Sequence, residues 1–79
     1  PDDEAANLNA AAIALQQKDL AQAERYLQKA GDSAEAKCNL GILRWMQGNK
    51  QQAYLLIKQA ADGGCKQAQQ AKAEMEKRM

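Results

Sequence analysis

NKQQAYLLIKQAAD, residues 49–62, has a counterpart 30 residues upstream in DLAQAERYLQKAGD, residues 19–32. Ala23 aligns with Ala53, Leu27 with Ile57, Ala30 with Ala60 and Asp32 with Asp62, while Asp19 aligns with Asn49 and Gln22 with Gln52. The small alanines let helix axes approach closely, and Leu27 and Ile57 fill the space between them. An internal repeat of this length, each unit built of two helices, predicts a short α-solenoid.

The rest of the chain agrees. Val, Thr, Phe and His are absent from the 79 residues, and the only proline is residue 1. The missing β-branched and aromatic residues are those that favour strands. Ala, Leu, Gln, Glu and Lys, which dominate here, favour helices. Turn signals at Lys18-Asp19, Gly31-Asp32-Ser33, Gly48-Asn49 and Asp62-Gly63-Gly64 divide the chain into five helices, at about 4–17, 20–30, 34–47, 50–62 and 65–78. Capping residues precede them: Asp2 or Asp3, then Asp19 with Gln22, Asp32 with Glu35 (or Ser33 in its place), and Asn49 with Gln52. Such short connections require consecutive helices to pack as antiparallel hairpins. The expected architecture is all-α and single-domain. It has two hairpin repeats, about 4–31 and 34–62, and a C-terminal capping helix at about 65–78. The fifth helix carries a thin apolar face (Ala68, Ala71, Met75, Met79) and a Glu74–Arg78 pair at i, i+4, as suits a solvated end.

Residues 40–60 resemble a tetratricopeptide repeat. Leu40-Gly41, Gly48, Ala53, Ile57 and Ala60 stand at that family's spacing. In the first repeat Ala10-Ala11 replace Leu-Gly and Lys18 replaces the turn glycine, while Ala23, Leu27 and Ala30 match. KQAADGGCKQAQ, residues 58–69, also resembles the related Sel-like repeats. Three features depart from the pattern. The offset is 30 where the family's repeat is roughly 34, Arg44 stands where a Tyr usually packs, and the fifth helix has no partner after it. The resemblance implies protein–protein interaction through the concave surface lined by the first helix of each repeat. Carried over position by position, that groove would comprise Leu8, Asn9, Ala12, Leu15 and Gln16, with Cys38, Asn39, Ile42, Trp45 and Met46. The carboxylate clamp of chaperone-type members is not expected, because Leu8, Ala12, Gln67 and Ala71 occupy its positions.

Few chemical functions are supported. A chain without His lacks the commonest general base and metal ligand, no carboxylate pair stands out, and Gly63-Gly64 is a helix stop and not a phosphate loop. No enzyme activity and no cofactor are expected. Two cysteines without His cannot complete a tetrahedral zinc site, so no metal is expected either. Cys38 and Cys65 are read as free thiols, with a disulfide between the third and fifth helices as the alternative. The net charge is +1, but residues 1–35 carry seven acids against three bases and residues 36–79 carry eight bases against three acids. Lys66, Lys72, Lys77 and Arg78 make the last helix basic, yet the only candidate for base stacking, Trp45, lies on another helix, so nucleic acid is not an expected partner. No stretch is long and apolar enough to read as a membrane helix. A chain beginning with Pro1 is expected to be a piece of a longer protein, with its compartment open between a bacterial envelope or periplasm and the cytosol.

CNLGILRWMQG, residues 38–48, holds the open question. On a helix, Ala36, Leu40, Leu43 and Gln47 form one stripe and Cys38, Ile42, Trp45 and Met46 a second. Leu40 and Ile42 are expected in the core, whereas Trp45 is either core or an apolar anchor for a partner. The expected partner is a protein or peptide. The alternative is a structural spacer whose groove is filled by its parent chain, or a homodimer formed through the groove or the repeat ends.

Overall fold

The computed structural model describes residues 3–78. It is all-helical over that range, with α1 at Glu4–Gln16, α2 at Leu20–Ala30, α3 at Ala34–Met46, α4 at Lys50–Asp62 and α5 at Lys66–Arg78. Two sequence expectations, Asp2 as a cap and Met79 on the apolar face of α5, lie outside the described residues.

Local chemistry places these ends. Asp3 accepts from the Ala5 N–H at 3.0 Å and Asp19 from the Gln22 N–H at 3.3 Å. At α3 the cap is Ser33 and not Asp32. Ser33 Oγ accepts from the Ala36 N–H at 3.2 Å, because its backbone takes the extended conformation of a cap while Asp32 stands one residue too early. Asn49 makes no side-chain cap bond; its amide instead donates to Gln52 Oε1 at 2.8 Å. The C-terminal ends of α1, α3 and α4 share one solution. Asp19 N–H bonds Ala14 O and Lys18 N–H bonds Leu15 O, and the same pair of bonds recurs at Asn49/Gly48 and Cys65/Gly64. These are Schellman closures, which need a left-handed residue. Gly48 and Gly64 supply it freely, and Lys18 takes it at φ 61°.

The helices pack mainly with their chain neighbours, α1 on α2, α3 on α4 and α4 on α5, with α3 also touching α1, α2 and α5. The α3–α4 hairpin is tightest at Gly41. A Cβ added there would stand 2.7 Å from Ile57 Cγ1 and 3.2 Å from the Ala53 carbonyl. At its open end Gly63 comes back beside Ala34, which fixes the pair as antiparallel. The array is elongated, 38 × 24 × 16 Å, the proportions of helices about 20 Å long laid side by side.

Two core clusters flank α3. On one side Leu8, Ala11, Ala14 and Leu15 of α1 and Ala23, Leu27 and Ala30 of α2 enclose Ala36 and Leu43. On the other side Ala53, Ile57, Ala60 and Ala61 of α4 and Ala68 and Met75 of α5 enclose Cys38. Ile42 packs against both clusters. Each stripe of α3 thus has a buried part, Ala36 and Leu43 in the first cluster and Cys38 in the second, while Ile42, Trp45 and Met46 stay half-buried. The repeat is visible in burial: Ala23, Leu27 and Ala30 are buried in α2 as Ala53, Ile57 and Ala60 are in α4. Among the described residues, one polar side-chain group is buried without a hydrogen-bond partner, the Asn7 amide Nδ2.

Arg44, where the resemblance anticipates a Tyr, reaches across to α2. Its Nη1 donates to Glu24 Oε1 at 3.0 Å and to Gln47 Oε1 at 2.7 Å. Tyr54, expected to pack with its hydroxyl at the surface, donates that hydroxyl to Glu76 Oε2 at 2.8 Å and ties α4 to α5. Gln69 Nε2 reinforces that contact by donating to the Ala61 carbonyl at 3.3 Å. The anticipated Glu74–Arg78 ion pair is not formed among the described residues.

Candidate functional site

Alternation of helices along the chain brings α1, α3 and α5 to one side, and three shallow clefts run along the surface they share. The first, about 380 Å³, is bounded by Leu8, Asn9 and Ala12 of α1, Glu35 and Asn39 of α3, and Cys65, Lys66 and Gln67 at the start of α5. The second, about 240 Å³, lies between Ala12, Leu15 and Gln16, Asn39, Ile42 and Met46, and Gln67. The third, about 340 Å³, lies between Ile42 and Trp45 of α3 and Ala71, Glu74, Met75 and Arg78 of α5. Ala12, Asn39 and Gln67 join the first cleft to the second, and Ile42 joins the second to the third.

Nine of the ten groove positions expected from the sequence border these clefts: Leu8, Asn9, Ala12, Leu15, Gln16, Asn39, Ile42, Trp45 and Met46. They are not equivalent. Leu8 and Leu15 are core residues that show only an edge, whereas Asn9 is exposed and Ala12, Asn39, Ile42, Trp45 and Met46 are half-buried. Cys38 is the correction. It is 1% exposed and borders none of the clefts, because its position on α3 turns it toward α4 and α5. Trp45 is half-buried, neither sealed in the core nor fully exposed. It packs on the second core cluster and borders the third cleft, and Lys50 Nζ lies 5.5 Å from its ring centroid. That last arrangement holds a cation over the ring face.

The α5 wall is what the sequence reading missed. Lys66, Gln67, Ala71 and Met75 border the clefts although α5 was read as a cap. A usable signal was present: the 30-residue offset, applied once more, carries Cys38 onto Ala68 and Trp45 onto Met75, and both are buried as a third first-type helix requires.

The surface is apolar at its floor with an amide rim (Asn9, Gln16, Asn39, Gln67). Charges of both signs stand at each end, Glu35 with Lys66 and Glu74 with Arg78. A larger hollow of about 690 Å³ opens between the first turns of α1 and α3, lined by Asp3, Glu4, Ser33 and Glu35 among others. Asp3 and Ser33 are engaged there as caps of their own helices, so the hollow offers less than its size suggests. Three groups have displaced proton affinities. The Arg44 guanidinium, by hydrogen bond and by charge, holds the Glu24 carboxyl below its ordinary value. The Glu76 carboxylate that accepts from Tyr54 raises that phenol. Burial pushes the Cys38 thiol up to about 12, with Cys65 and Glu35 adding to the effect. None of the three borders the clefts. Among the described residues no three His, Cys, Asp or Glu side chains gather at a metal-sized site, and no helix is long and apolar enough to cross a membrane.

In comparisons with family models, curated proteins and solved structures, nothing matches the chain.

Proposed function

We propose that the chain is a tetratricopeptide-like interaction module that takes a segment of a protein partner along the α1–α3–α5 surface. The observation that supports this reading is the continuity of the three clefts, with an apolar floor at Ile42, Trp45 and Met46 and amides at Asn39 and Gln67 placed to bond a peptide backbone. Half-buried aromatic and thioether side chains dominate binding energy at such surfaces. The test is selection of displayed random peptides on the folded chain, followed by titration with Trp45 emission as the signal. Trp45→Ala, titrated by calorimetry, is expected to weaken the selected peptides by about 30-fold and Asn39→Ala by about tenfold, with an unchanged thermal midpoint for Asn39→Ala. Peptides that bind equally well to both variants would remove the reading.

A second reading, self-association through a repeat end, has its own observation. Ala6 and Ile13 of α1 are the 30-residue counterparts of Ala36 and Leu43 of α3. Leu43 is 0% exposed in the first core cluster, whereas Ile13 is 54% exposed beside Tyr26. Sedimentation across a wide concentration range is expected to show association of the wild type and a monomer for Ile13→Lys at unchanged stability. A wild type that stays monomeric throughout excludes this reading.

A further inference from the structure

Cys38 and Cys65 stand 27 residues apart in the sequence and meet in the second core cluster. Cys65 packs against the cluster that encloses Cys38, and both thiols are free. The spacing between packed helix axes, roughly 8–10 Å, ordinarily keeps mid-helix cysteines too far apart to bond. Here Cys65 escapes that constraint because it lies in the turn before Lys66, following Gly63 and Gly64, and not inside α5. The two sulfurs also differ in access. Cys65 is half-exposed on the wall of the first cleft, where a small molecule reaches it, and Cys38 is sealed beneath it.

We propose that Cys65 and Cys38 are a reversible dithiol–disulfide pair, with Cys65 meeting the oxidant and Cys38 resolving it, so that oxidation fastens the start of α5 to α3. The co-reactant is a low-molecular-weight disulfide. The Cys65 thiolate attacks one of its sulfurs, forming a mixed disulfide and releasing one small thiolate. The Cys38 thiol passes its proton to that thiolate and attacks Cys65 Sγ, forming the intramolecular S–S bond and expelling the second small thiolate, which takes up the proton that Cys65 had lost. Two protein thiols are oxidised and one external disulfide is reduced to two thiols. Burial, which keeps Cys38 protonated, assigns the first attack to Cys65. The inference is independent of any peptide binding.

The experiment is incubation of the folded chain with oxidised glutathione, acid quench, alkylation of remaining thiols in denaturant, intact mass and peptide mapping. The expected product has lost two hydrogens, carries no glutathione and no alkyl group, and maps to a Cys38–Cys65 bridge that dithiothreitol reverses. Its thermal midpoint is expected to rise by about 10 °C or more, since the bridge closes a loop of this length in the unfolded chain. Cys38→Ala is expected to stop with one glutathione on Cys65. In Cys65→Ser, Cys38 is expected to resist both glutathione and alkylation while folded, which keeps the test intact if Cys38→Ala does not fold. A lasting mixed disulfide on the wild type, a covalent dimer through Cys65, two untouched thiols under conditions that oxidise a dithiol peptide, or a Cys38 that reacts freely in Cys65→Ser would each overturn the proposal.

Discussion

Lys18 is a side-chain-bearing residue in a glycine's place. It closes α1 at φ 61° with bonds of 3.0 and 2.8 Å from Lys18 and Asp19, against 3.0 and 2.9 Å at Gly48 and Asn49. A Cβ in the left-handed region costs roughly 1–2 kcal/mol, of which the looser unfolded chain of a glycine variant offsets part. Lys18→Gly is therefore expected to raise stability by about 0.5–1 kcal/mol in urea titrations, and a loss would show that the lysine makes a contribution outside its backbone. The first repeat differs from the second at this position, yet both adopt one turn, because the Schellman bonds and the start of the next helix hold the conformation against the preference of a single residue.

At the scale of the element, the α3–α4 hairpin depends on the absence of a side chain at Gly41. Ile57 Cγ1 and Cδ1 would lie 2.7 and 2.8 Å from an added Cβ, and both Gly41 and Ile57 are buried. Ile57 is enclosed by the second cluster and cannot swing away, so Gly41→Ala must part the two helices. The expected cost is about 1–3 kcal/mol, despite alanine's better helix propensity of about 1 kcal/mol. Thermal unfolding reads the sign directly: a stabilised variant would mean the hairpin yields easily. The Leu40-Gly41 step was visible in the sequence as a motif, whereas the contact that makes it necessary is a property of two helices.

For the molecule as a whole, α3 is the shared wall of both clusters, and the ionisation of Cys38 within it is linked to global unfolding. Below its ordinary value of 9.0 the thiol is protonated in both states and stability is flat with respect to this group. Between that pH and about 12 the unfolded chain releases the proton and the folded chain holds it. Stability is therefore lost as pH rises through this window, by at most about 1.4 kcal/mol per pH unit for one proton. Urea unfolding of the wild type and Cys38→Ala between pH 8 and about 11 should show the steeper decline in the wild type. Parallel curves would mean that water reaches the thiol in the native state.

What the sequence determined alone is local and periodic. The five helices came out within a residue of their expected ends, since caps, left-handed turns and helix formers act over a few neighbours. The repeat also placed the buried Ala-Leu-Ala and Ala-Ile-Ala faces of α2 and α4. Near-equivalent chemistry defeated the sequence at Ser33, which is as good a cap as Asp32 and one residue better placed. The tertiary structure alone decided which neighbour fills each direction. Helical period groups Cys38 with Trp45 on one stripe, but only the docking of α5 buries the first and leaves the second half open. Likewise Arg44 found Glu24 on another hairpin, and the α5 wall joined Lys66, Gln67 and Met75 to a surface begun by Leu8 and Asn9. The physical reason is that periodicity gives an angle about one helix axis, whereas burial and access depend on where the other axes lie.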